Sequence, residues 1–234
     1  MSHTGSNAGP GRAAADDRVD HLEGLRTRLD RLHSQDHDGR MDRQKAVAGA
    51  ARDLIDHLIA TAAPSDVLAD VEALLMRATA SLRGHRGNRQ LQPSASEEPG
   101  YGSDHLYWSP MTGLANPLAP PLDLSIEDGV VVGTGKYGAG YGGPPGCVHG
   151  GHIAAAFDEI LGVVQALSGR MGLTGTLTVR YHSPTPLHTE LRFEGRCDGL
   201  NGRKILTSAV ALVDGVVTAE ATCVFVAMTT PRDA

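Results

Sequence analysis

The chain has 234 residues, of which 41% are hydrophobic and 21% charged, which is enough for one substantial domain with an appendage. Its formal net charge of −6 argues against binding to nucleic acid or to an anionic membrane surface. No run approaches the ~18 apolar residues of a membrane span, and the N-terminal residues lack the apolar stretch of a signal peptide. Cys147, Cys197 and Cys223 are too scattered for a metal site and are expected to be reduced thiols, so the expected location is cytoplasmic.

The N-terminal third of the chain is predicted to be helical. We expect residues 1–15, which show no periodicity, to form a disordered tail. Within 16–84, apolar residues recur every three or four positions in three runs, which indicates three amphipathic helices, with Pro64 and Ser65 between the last two. Residues 85–103 are predicted to be a linker. The helices either pack on the rest of the protein or its oligomer, or form a partner-binding or regulatory module.

The remaining region, 104–230, is predicted to be an α+β domain. A proline-rich stretch that ends at Pro121 is expected to wrap a surface, and residues 122–137 predict a hairpin. Residues 149–168 are apolar nearly all round, as in a buried helix. Four strands are predicted after it, at about 173–182, 188–198, 203–213 and 216–228. An antiparallel sheet has to curl around such a helix to bury it.

The most informative segment joins a Pro- and Gly-rich loop to the start of this helix, and over residues 144–158 it reads PPGCVHGGHIAAAFD. The N–H groups of a helix start, together with the positive end of the helix dipole, form a site for an anion or a developing oxyanion. Asp158 is the carboxylate of this segment and lies on a mostly apolar run, where an unpaired charge is costly. A polarised carbonyl and a carboxylate brought to it are the parts that thioester hydrolysis requires.

Two motifs carry a family resemblance. The first is GPPGCVHGGHIAAAFDE at residues 143–159, and the second is TGTLTVRYHSPTPL at residues 174–187. In these motifs an Asp lies nine residues after the His, and a Thr then leads a strand that ends in Tyr-x-x-Pro. With this combination, the chain resembles the hotdog-fold acyl-CoA thioesterases of the phenylacetyl-CoA-thioesterase-like superfamily. The resemblance covers about residues 106–229. It implies a curled antiparallel sheet around a central helix, and hydrolysis of an acyl-CoA to a free acid and CoA, a reaction of lipid metabolism.

The resemblance also implies roles for individual residues. The Gly150 N–H would polarise the thioester carbonyl, and Asp158 would act as general base or nucleophile. Thr174 would hold the attacking water or assist Asp158, and His149 would orient the loop or touch the carbonyl region. Some family members have an Asn six residues before the His, where this chain has Gly143, so another group must position the water.

Three further residues are candidate substrate-binding groups. Val148 and Gly151 lie at the helix start, and Arg180 on its strand either meets the CoA phosphates or is simply solvated. The glycines between 133 and 143 are predicted to form a flexible loop over the acyl channel, because they lack the Gly-Lys-Ser/Thr of a phosphate-binding loop. No cofactor and no metal is expected, since the histidines have no third ligand at suitable spacing.

The spacing of Gly150 and Asp158 predicts an oligomer. Eight residues correspond to about 12 Å along a helix axis, too far for one carbonyl to contact both groups of the same copy. If both serve one thioester, they come from different subunits, and the strand with Thr174 belongs to the chain that supplies Asp158. A dimer with antiparallel central helices would form two such sites. We therefore expect a homodimer or a dimer of dimers.

Two other functions are compatible with the same fold. A non-catalytic acyl-CoA sensor would bind its ligand without releasing CoA, and its N-terminal helices would transmit the signal. The presence of Asp158 and Thr174 argues against a sensor. A hotdog enoyl-CoA hydratase or dehydratase would use a His/Asp or His/Glu pair on a motif that this sequence lacks.

Overall fold

The computed structural model describes residues 21–27, 29–30, 39–85 and 103–228. The predicted tail at 1–15 and most of the predicted linker lie outside these residues. The described part consists of N-terminal helices, one antiparallel sheet and a central helix. None of the described helices combines the length and the apolar character that crossing a bilayer requires.

The N-terminal region is helical, as predicted. We denote the helical residues 21–27 and 29–30 as α1, Gly39–Ala60 as α2, and Ser65–Arg83, which begins directly after Pro64, as α3. Leu25 and Leu29 of α1 pack into the same hydrophobic core as the sheet. In contrast, α2 contributes the buried Ala48, and none of the residues of α3 is buried. The three helices are therefore attached to the core to very different degrees.

The proline-rich segment at 109–121 is irregular and lies against α2. It follows a short helix, Ser103–Trp108 (α4). The Arg52 guanidinium of α2 donates to the Asn116 carbonyl oxygen at 2.9 Å, and Ala119 is fully buried. The prediction of a surface-wrapping segment is confirmed, because proline has no N–H to donate to a sheet or helix interior.

Six strands form one antiparallel sheet in the order β1-β2-β4-β5-β6-β3. Their bounds are Asp123–Glu127 (β1), Val130–Lys136 (β2), Gly172–Tyr181 (β3), Glu190–Asn201 (β4), Lys204–Val213 (β5) and Val216–Ala227 (β6). The β5–β6 hairpin closes through Asp214 and Gly215, whose φ angles of 50° and 78° are those of a type I′ turn. Strand β3 lies at an edge, where β6 is its partner among the described strands.

The central helix, Gly150–Val164 (α5), continues into a 3-10 turn, Gln165–Ser168, over the predicted span. It contacts strands β2 to β6, so the sheet curls around it as expected. Phe157 and Ile160 are fully buried, but Gly151 and Asp158 are exposed, which differs from the prediction of burial on all sides. The exposed face lies beside the edge strand β3, beyond which the described chain supplies no further strand.

Candidate active site

The start of α5 is capped by a histidine side chain. His149 is the N-cap residue, and its Nδ1 accepts the Gly151 N–H at 3.0 Å. Nδ1 is therefore unprotonated, and in the neutral ring the hydrogen is on Nε2. The His152 N–H donates to the His149 carbonyl at 2.9 Å. The Gly150 N–H belongs to the first helical residue and has no intrahelical acceptor, so any acceptor for it lies outside the helix.

The loop before α5 is fastened to the segment that follows β3. The Val148 N–H donates to the Thr185 carbonyl at 2.8 Å, and the Gly143 N–H donates to the Cys147 carbonyl at 2.9 Å. The Val148 side chain is buried in the core of its own chain. The assignment of Val148 and Gly151 to substrate binding stays a prediction. In the structure, the N–H groups of both residues donate hydrogen bonds that stabilise the start of the helix.

The glycine-rich stretch at 133–143 is not a single loop. Residues 133–136 belong to β2, and a 3-10 turn, Ala139–Tyr141, follows it. The turn packs against α2, whose Asp56 carboxylate accepts the Ala139 N–H. Tyr141 from this turn lies edge-on against His152, with ring centroids 5.2 Å apart. The prediction of one flexible loop over a channel is therefore wrong for the strand residues, and α2 supports the surroundings of the helix start.

Aromatic rings extend this support into the core. Tyr137 lies edge-on against Tyr141, with ring centroids 5.3 Å apart, and its phenol oxygen has no hydrogen-bond partner among the described residues. Burial raises the pKa of Tyr137. Burial, and secondly the neighbouring His149, lowers the pKa of His152. Tyr137 and His152 are therefore uncharged at neutral pH, so neither side chain places a charge beside the helix start.

Tyr181, at the end of β3, holds the first residue of α5. Its hydroxyl donates to the Gly150 carbonyl oxygen at 2.7 Å. A Cβ atom at position 150 would lie 3.3 Å from the Tyr181 ring, so glycine permits this close approach. Tyr181 is not among the predicted site residues, although it is the Tyr of the Tyr-x-x-Pro motif. We refer to Gly150 with Tyr181 as the amide half-site.

Asp158 lies two turns further along α5 and meets the other end of β3. The Thr174 hydroxyl donates to Asp158 Oδ1 at 3.0 Å within the same chain. Asp158 is exposed, so water has access to its second oxygen. Burial, with a smaller contribution from the Asp158 charge, raises the pKa of the Cys223 thiol to about 12. That thiol is therefore protonated at neutral pH. We refer to Asp158 with Thr174 as the carboxylate half-site.

The structure brings together the residues within each half-site but not the two half-sites of one protomer. Gly150 and Asp158 are separated by about 12 Å along the axis of α5. Each half-site includes a residue of β3, Thr174 near its start and Tyr181 at its end. The edge strand therefore contacts α5 at both groups, through Thr174 and through Tyr181.

Arg180 contacts neither half-site. Its Nε lies 3.6 Å from Glu220 Oε1, and His182 Nε2 lies 3.4 Å from the second oxygen of the same carboxylate. The carboxylate offsets part of the charge that would attract CoA phosphates, and the substrate-binding role of Arg180 stays a prediction. In the described ranges, no three His, Cys, Asp or Glu side chains are grouped so that they could hold a metal ion.

An antiparallel sheet curled around one central helix is the architecture of the hotdog fold. The family model of the Thioesterase superfamily matches residues 145–215. Protein RHA08564, a thioesterase superfamily protein with a crystal structure, is 34% identical and superposes with a TM-score of 0.62. That match covers 78% of this chain and 94% of RHA08564. The chain belongs to the thioesterase superfamily, and the predicted hotdog fold and family are confirmed.

Two further relatives are similar over shorter regions. The acyl-coenzyme A thioesterase THEM4 of Xenopus laevis is 34% identical over 86 residues, which is 36% of this chain and 39% of the frog protein. The match thus spans about two fifths of that curated relative. The crystal structure of smu.793 from Streptococcus mutans UA159 bound to acetyl CoA is 23% identical, with a TM-score of 0.44, and covers 47% of this chain and 90% of the bacterial protein.

Proposed function

We propose that this protein is an acyl-CoA thioesterase, which hydrolyses the thioester of an acyl-CoA to a free acid and CoA. The observation that carries the proposal is the carboxylate half-site, in which an exposed Asp158 is oriented by the Thr174 hydroxyl at 3.0 Å. Membership of the thioesterase superfamily supports the reaction, and the activity in the name of the THEM4 relative supports the substrate class.

The carboxylate half-site is suited to activating water. Thr174 donates to one oxygen of Asp158, so the other oxygen accepts a hydrogen from water. Asp158 takes this proton while the water oxygen attacks the carbonyl carbon, and the carbonyl oxygen becomes an oxyanion that accepts the Gly150 N–H. The oxyanion then re-forms the carbonyl as the C–S bond breaks, and the proton held by Asp158 passes to the departing CoA thiolate, which restores the carboxylate. In the alternative course, an Asp158 oxygen attacks the carbonyl carbon and the C–S bond breaks, so that CoA leaves as a thiolate and a mixed anhydride forms. Water then hydrolyses the anhydride to the free acid and the Asp158 carboxylate, and a proton from that water passes to the CoA thiolate.

A thioester does not require a strong base. The leaving thiol has a pKa of about 8.5 if it resembles a cysteine thiol, so its thiolate is a good leaving group. A carboxylate acting as a general base contributes roughly 10²–10⁴-fold to such a reaction, and one preorganised amide donor contributes about 10²–10³-fold. These two groups are therefore sufficient for a substantial rate without a metal.

The two half-sites form one active site when two protomers combine. Strand β3 presents an edge with N–H and C=O groups that can pair with another chain. If two copies of β3 pair antiparallel about a two-fold axis near Leu177 and Thr178, Thr174 of one copy lies opposite Tyr181 of the other. The carboxylate half-site of each protomer then meets the amide half-site of its partner. A homodimer built in this way has two active sites.

The proposal includes the cellular setting. We place the reaction in lipid metabolism in the cytoplasm. All three cysteines are present as thiols, and Cys223 is buried, which is consistent with a reducing compartment. The acyl group that is preferred depends on residues from both protomers.

Release of free CoA from short-, medium-, long-chain and aromatic acyl-CoAs tests the proposed function. We expect a thiol to appear in step with the free acid for at least one of these substrates. A non-catalytic sensor would bind acyl-CoA in calorimetry and release no thiol. A hydratase would consume the enoyl absorbance of an enoyl-CoA without releasing a thiol. Either of these results would reject the thioesterase proposal.

Replacing Thr174 by alanine is expected to lower kcat by roughly 10–100-fold, because a hydrogen bond to a charged group contributes about 1.5–3 kcal/mol. Steady-state thiol release gives kcat and KM separately. Thr174→Ser, which retains the hydroxyl, should keep most of the activity. An unchanged kcat in Thr174→Ala would remove this residue from the mechanism.

Replacing Tyr181 by phenylalanine is expected to lower kcat by roughly 2–10-fold, because a neutral hydrogen bond to the Gly150 carbonyl is lost while the ring is kept. KM should change less than kcat if Tyr181 positions the amide donor. Tyr141→Phe is the matched control, since that hydroxyl donates to the Leu118 carbonyl at 3.2 Å. Equal losses in the two variants would argue against a positioning role for Tyr181.

A further inference from the structure

Strand β3 contributes one residue to each half-site, and the spacing of these two residues does not fit a regular strand. The Thr174 hydroxyl donates to Asp158, and the Tyr181 hydroxyl donates to the carbonyl of the first residue of α5. Both side chains therefore lie on the face of β3 that meets α5. The two positions are seven residues apart. Because successive side chains of a strand point to opposite faces, an odd separation would place them on opposite faces.

The register of β3 against β6 shows where this alternation is broken. Thr174 pairs with Phe225, and Thr176 pairs with Val224, so two steps along β3 correspond to one step along β6. Gly175 is the extra residue of a β-bulge. One extra residue shifts the alternation of side chains by one position. Even-numbered residues therefore face α5 before the bulge, and odd-numbered residues face it after the bulge.

The burial of the β6 partners agrees with this shift. Thr174, before the bulge, lies opposite Phe225. Leu177, after the bulge, lies opposite Cys223 and packs against the hydrophobic core. Phe225 and Cys223 are both buried. Because directly opposed residues of an antiparallel pair point to the same side of the sheet, Thr174 and Leu177 share the core-facing side.

The bulge leaves little room for a side chain at its extra residue. A Cβ atom at position 175 would lie 3.1 Å from the Val224 carbonyl oxygen and 3.2 Å from Cγ2 of Val226. The second distance is shorter than the ~3.5–4.0 Å at which carbon atoms pack. Glycine avoids this crowding because it has no Cβ atom. A β-branched residue would have to displace the β6 backbone or abolish the bulge.

From these observations, we propose that Gly175 is a positioning residue for the carboxylate half-site. As the extra residue of the bulge, it turns Thr174 towards Asp158, while Tyr181 keeps its contact with α5 on the same face of the strand. This role rests on the proposed function, in which Thr174 orients the catalytic carboxylate. Gly175 itself does not touch the substrate, because it acts through Thr174.

The bulge also suits the pairing of two β3 edges in the proposed homodimer. If Leu177 of one copy lies opposite Val179 of the other, the opposed side chains both point to the core-facing side, as an antiparallel pair requires. When the extra residue Gly175 is passed over, the next opposed pair is Thr174 and the partner's Tyr181. The bulge therefore lets these two side chains lie opposite each other on the same face.

Replacing Gly175 by valine tests the positioning role. We expect kcat for thiol release to fall about as far as in Thr174→Ala, roughly 10–100-fold, because the hydrogen bond to Asp158 is lost. KM should change less than kcat. The double variant Gly175→Val with Thr174→Ala should have about the kcat of either single variant, because both changes remove the same contact. If valine prevents folding, Gly175→Ala replaces it in the same comparison.

Thr176→Val is the matched control, because it introduces the same side chain one residue further along, at an exposed position. It should keep kcat near the wild-type value. Deleting Gly175 removes the extra residue, so that Thr174 remains opposite Phe225 in a regular ladder and still faces α5. The deletion should therefore retain clearly more activity than Gly175→Val. Circular dichroism and thermal unfolding verify that each variant is folded.

A crystal structure of Gly175→Val provides a readout that does not depend on activity. The Thr174 hydroxyl should no longer donate to Asp158, while the Tyr181 hydroxyl should still donate to the Gly150 carbonyl. If the wild-type protein releases no CoA from any acyl-CoA, the proposed function fails, and this structure still tests whether Gly175 positions Thr174.

Several results would overturn the positioning role. An unchanged kcat in Gly175→Val, or a retained hydrogen bond from Thr174 to Asp158 in its structure, would exclude it. Losses that multiply in the double variant would show that Gly175 and Thr174 act separately. An equal loss in Thr176→Val would indicate general damage to the strand. A folded deletion variant as inactive as Gly175→Val would show that the face on which Thr174 lies is not what matters.

Discussion

Replacing Asp158 by asparagine is expected to lower kcat for acyl-CoA hydrolysis by roughly 10²–10⁴-fold, which is the contribution of a general base. Asparagine retains the size of the side chain and an oxygen that accepts the Thr174 hydroxyl, but it cannot take a proton from water. KM should change little, because the carboxylate acts on the water and not on the acyl group. Thiol release under steady-state conditions measures both constants.

The neighbouring carboxylate provides the control for this substitution. Glu159 is half-buried on the same helix, and its Oε1 accepts the Thr112 hydroxyl at 3.1 Å. Glu159→Gln removes the same charge one residue away and should keep kcat near the wild-type value. Thermal unfolding and mass in solution should match the wild type for Asp158→Asn. Full activity in Asp158→Asn, or an equal loss in Glu159→Gln, would exclude Asp158 as the base.

Mixing two inactive variants is expected to restore activity if each active site draws on both protomers. Gly150→Pro removes the amide donor and should cost about 10²–10³-fold in kcat. Proline is favourable at the first position of a helix, and the ψ of 130° at His149 suits a residue that precedes proline. When the Gly150→Pro and Asp158→Asn proteins are mixed in equal amounts and reassociate at random, about half of the dimers contain one copy of each. Each mixed dimer has one intact active site out of two. About a quarter of the wild-type activity should therefore return.

Gly150→Ala separates the loss of the donor from steric effects in this experiment. It adds a Cβ atom 3.3 Å from the Tyr181 ring but retains the N–H, so it should be much more active than Gly150→Pro. Differently tagged protomers and native mass spectrometry verify that mixed dimers are present. If mixed dimers form and activity does not return, the two half-sites do not serve a common thioester.

Most elements of the fold could be predicted because they depend on near neighbours along the chain. Alternation of apolar and polar residues located the strands, and Asp214 with Gly215 supplied the residues that a type I′ turn demands. The helix after His149 was predicted from its apolar run. The resemblance in the two motifs selected Asp158 and Thr174 as partners, and their contact spans only 16 residues.

Contacts between distant segments were not predictable in the same way. Tyr181 reaches Gly150 across 31 residues, and Asp56 of α2 holds Ala139 across 83 residues. Neither contact has a local signature, since each depends on how two separately formed elements pack. The supporting role of α2 at the candidate site therefore became visible only in the folded chain.

The amino-acid sequence alone determined which faces of the helices are apolar and the approximate positions of the strands, with the ends of β4 displaced by two to three residues from the predicted 188–198. It also placed Asp158 on the central helix. The tertiary structure decided which of those faces are covered: α5 is open beside the edge strand at Asp158, and α3 buries none of its residues. The physical reason is that hydrophobic periodicity reports the preference of a surface to leave water. Hydrophobic periodicity does not report which other surface will cover an apolar face, because that depends on how elements pack that are far apart in the chain or belong to another copy.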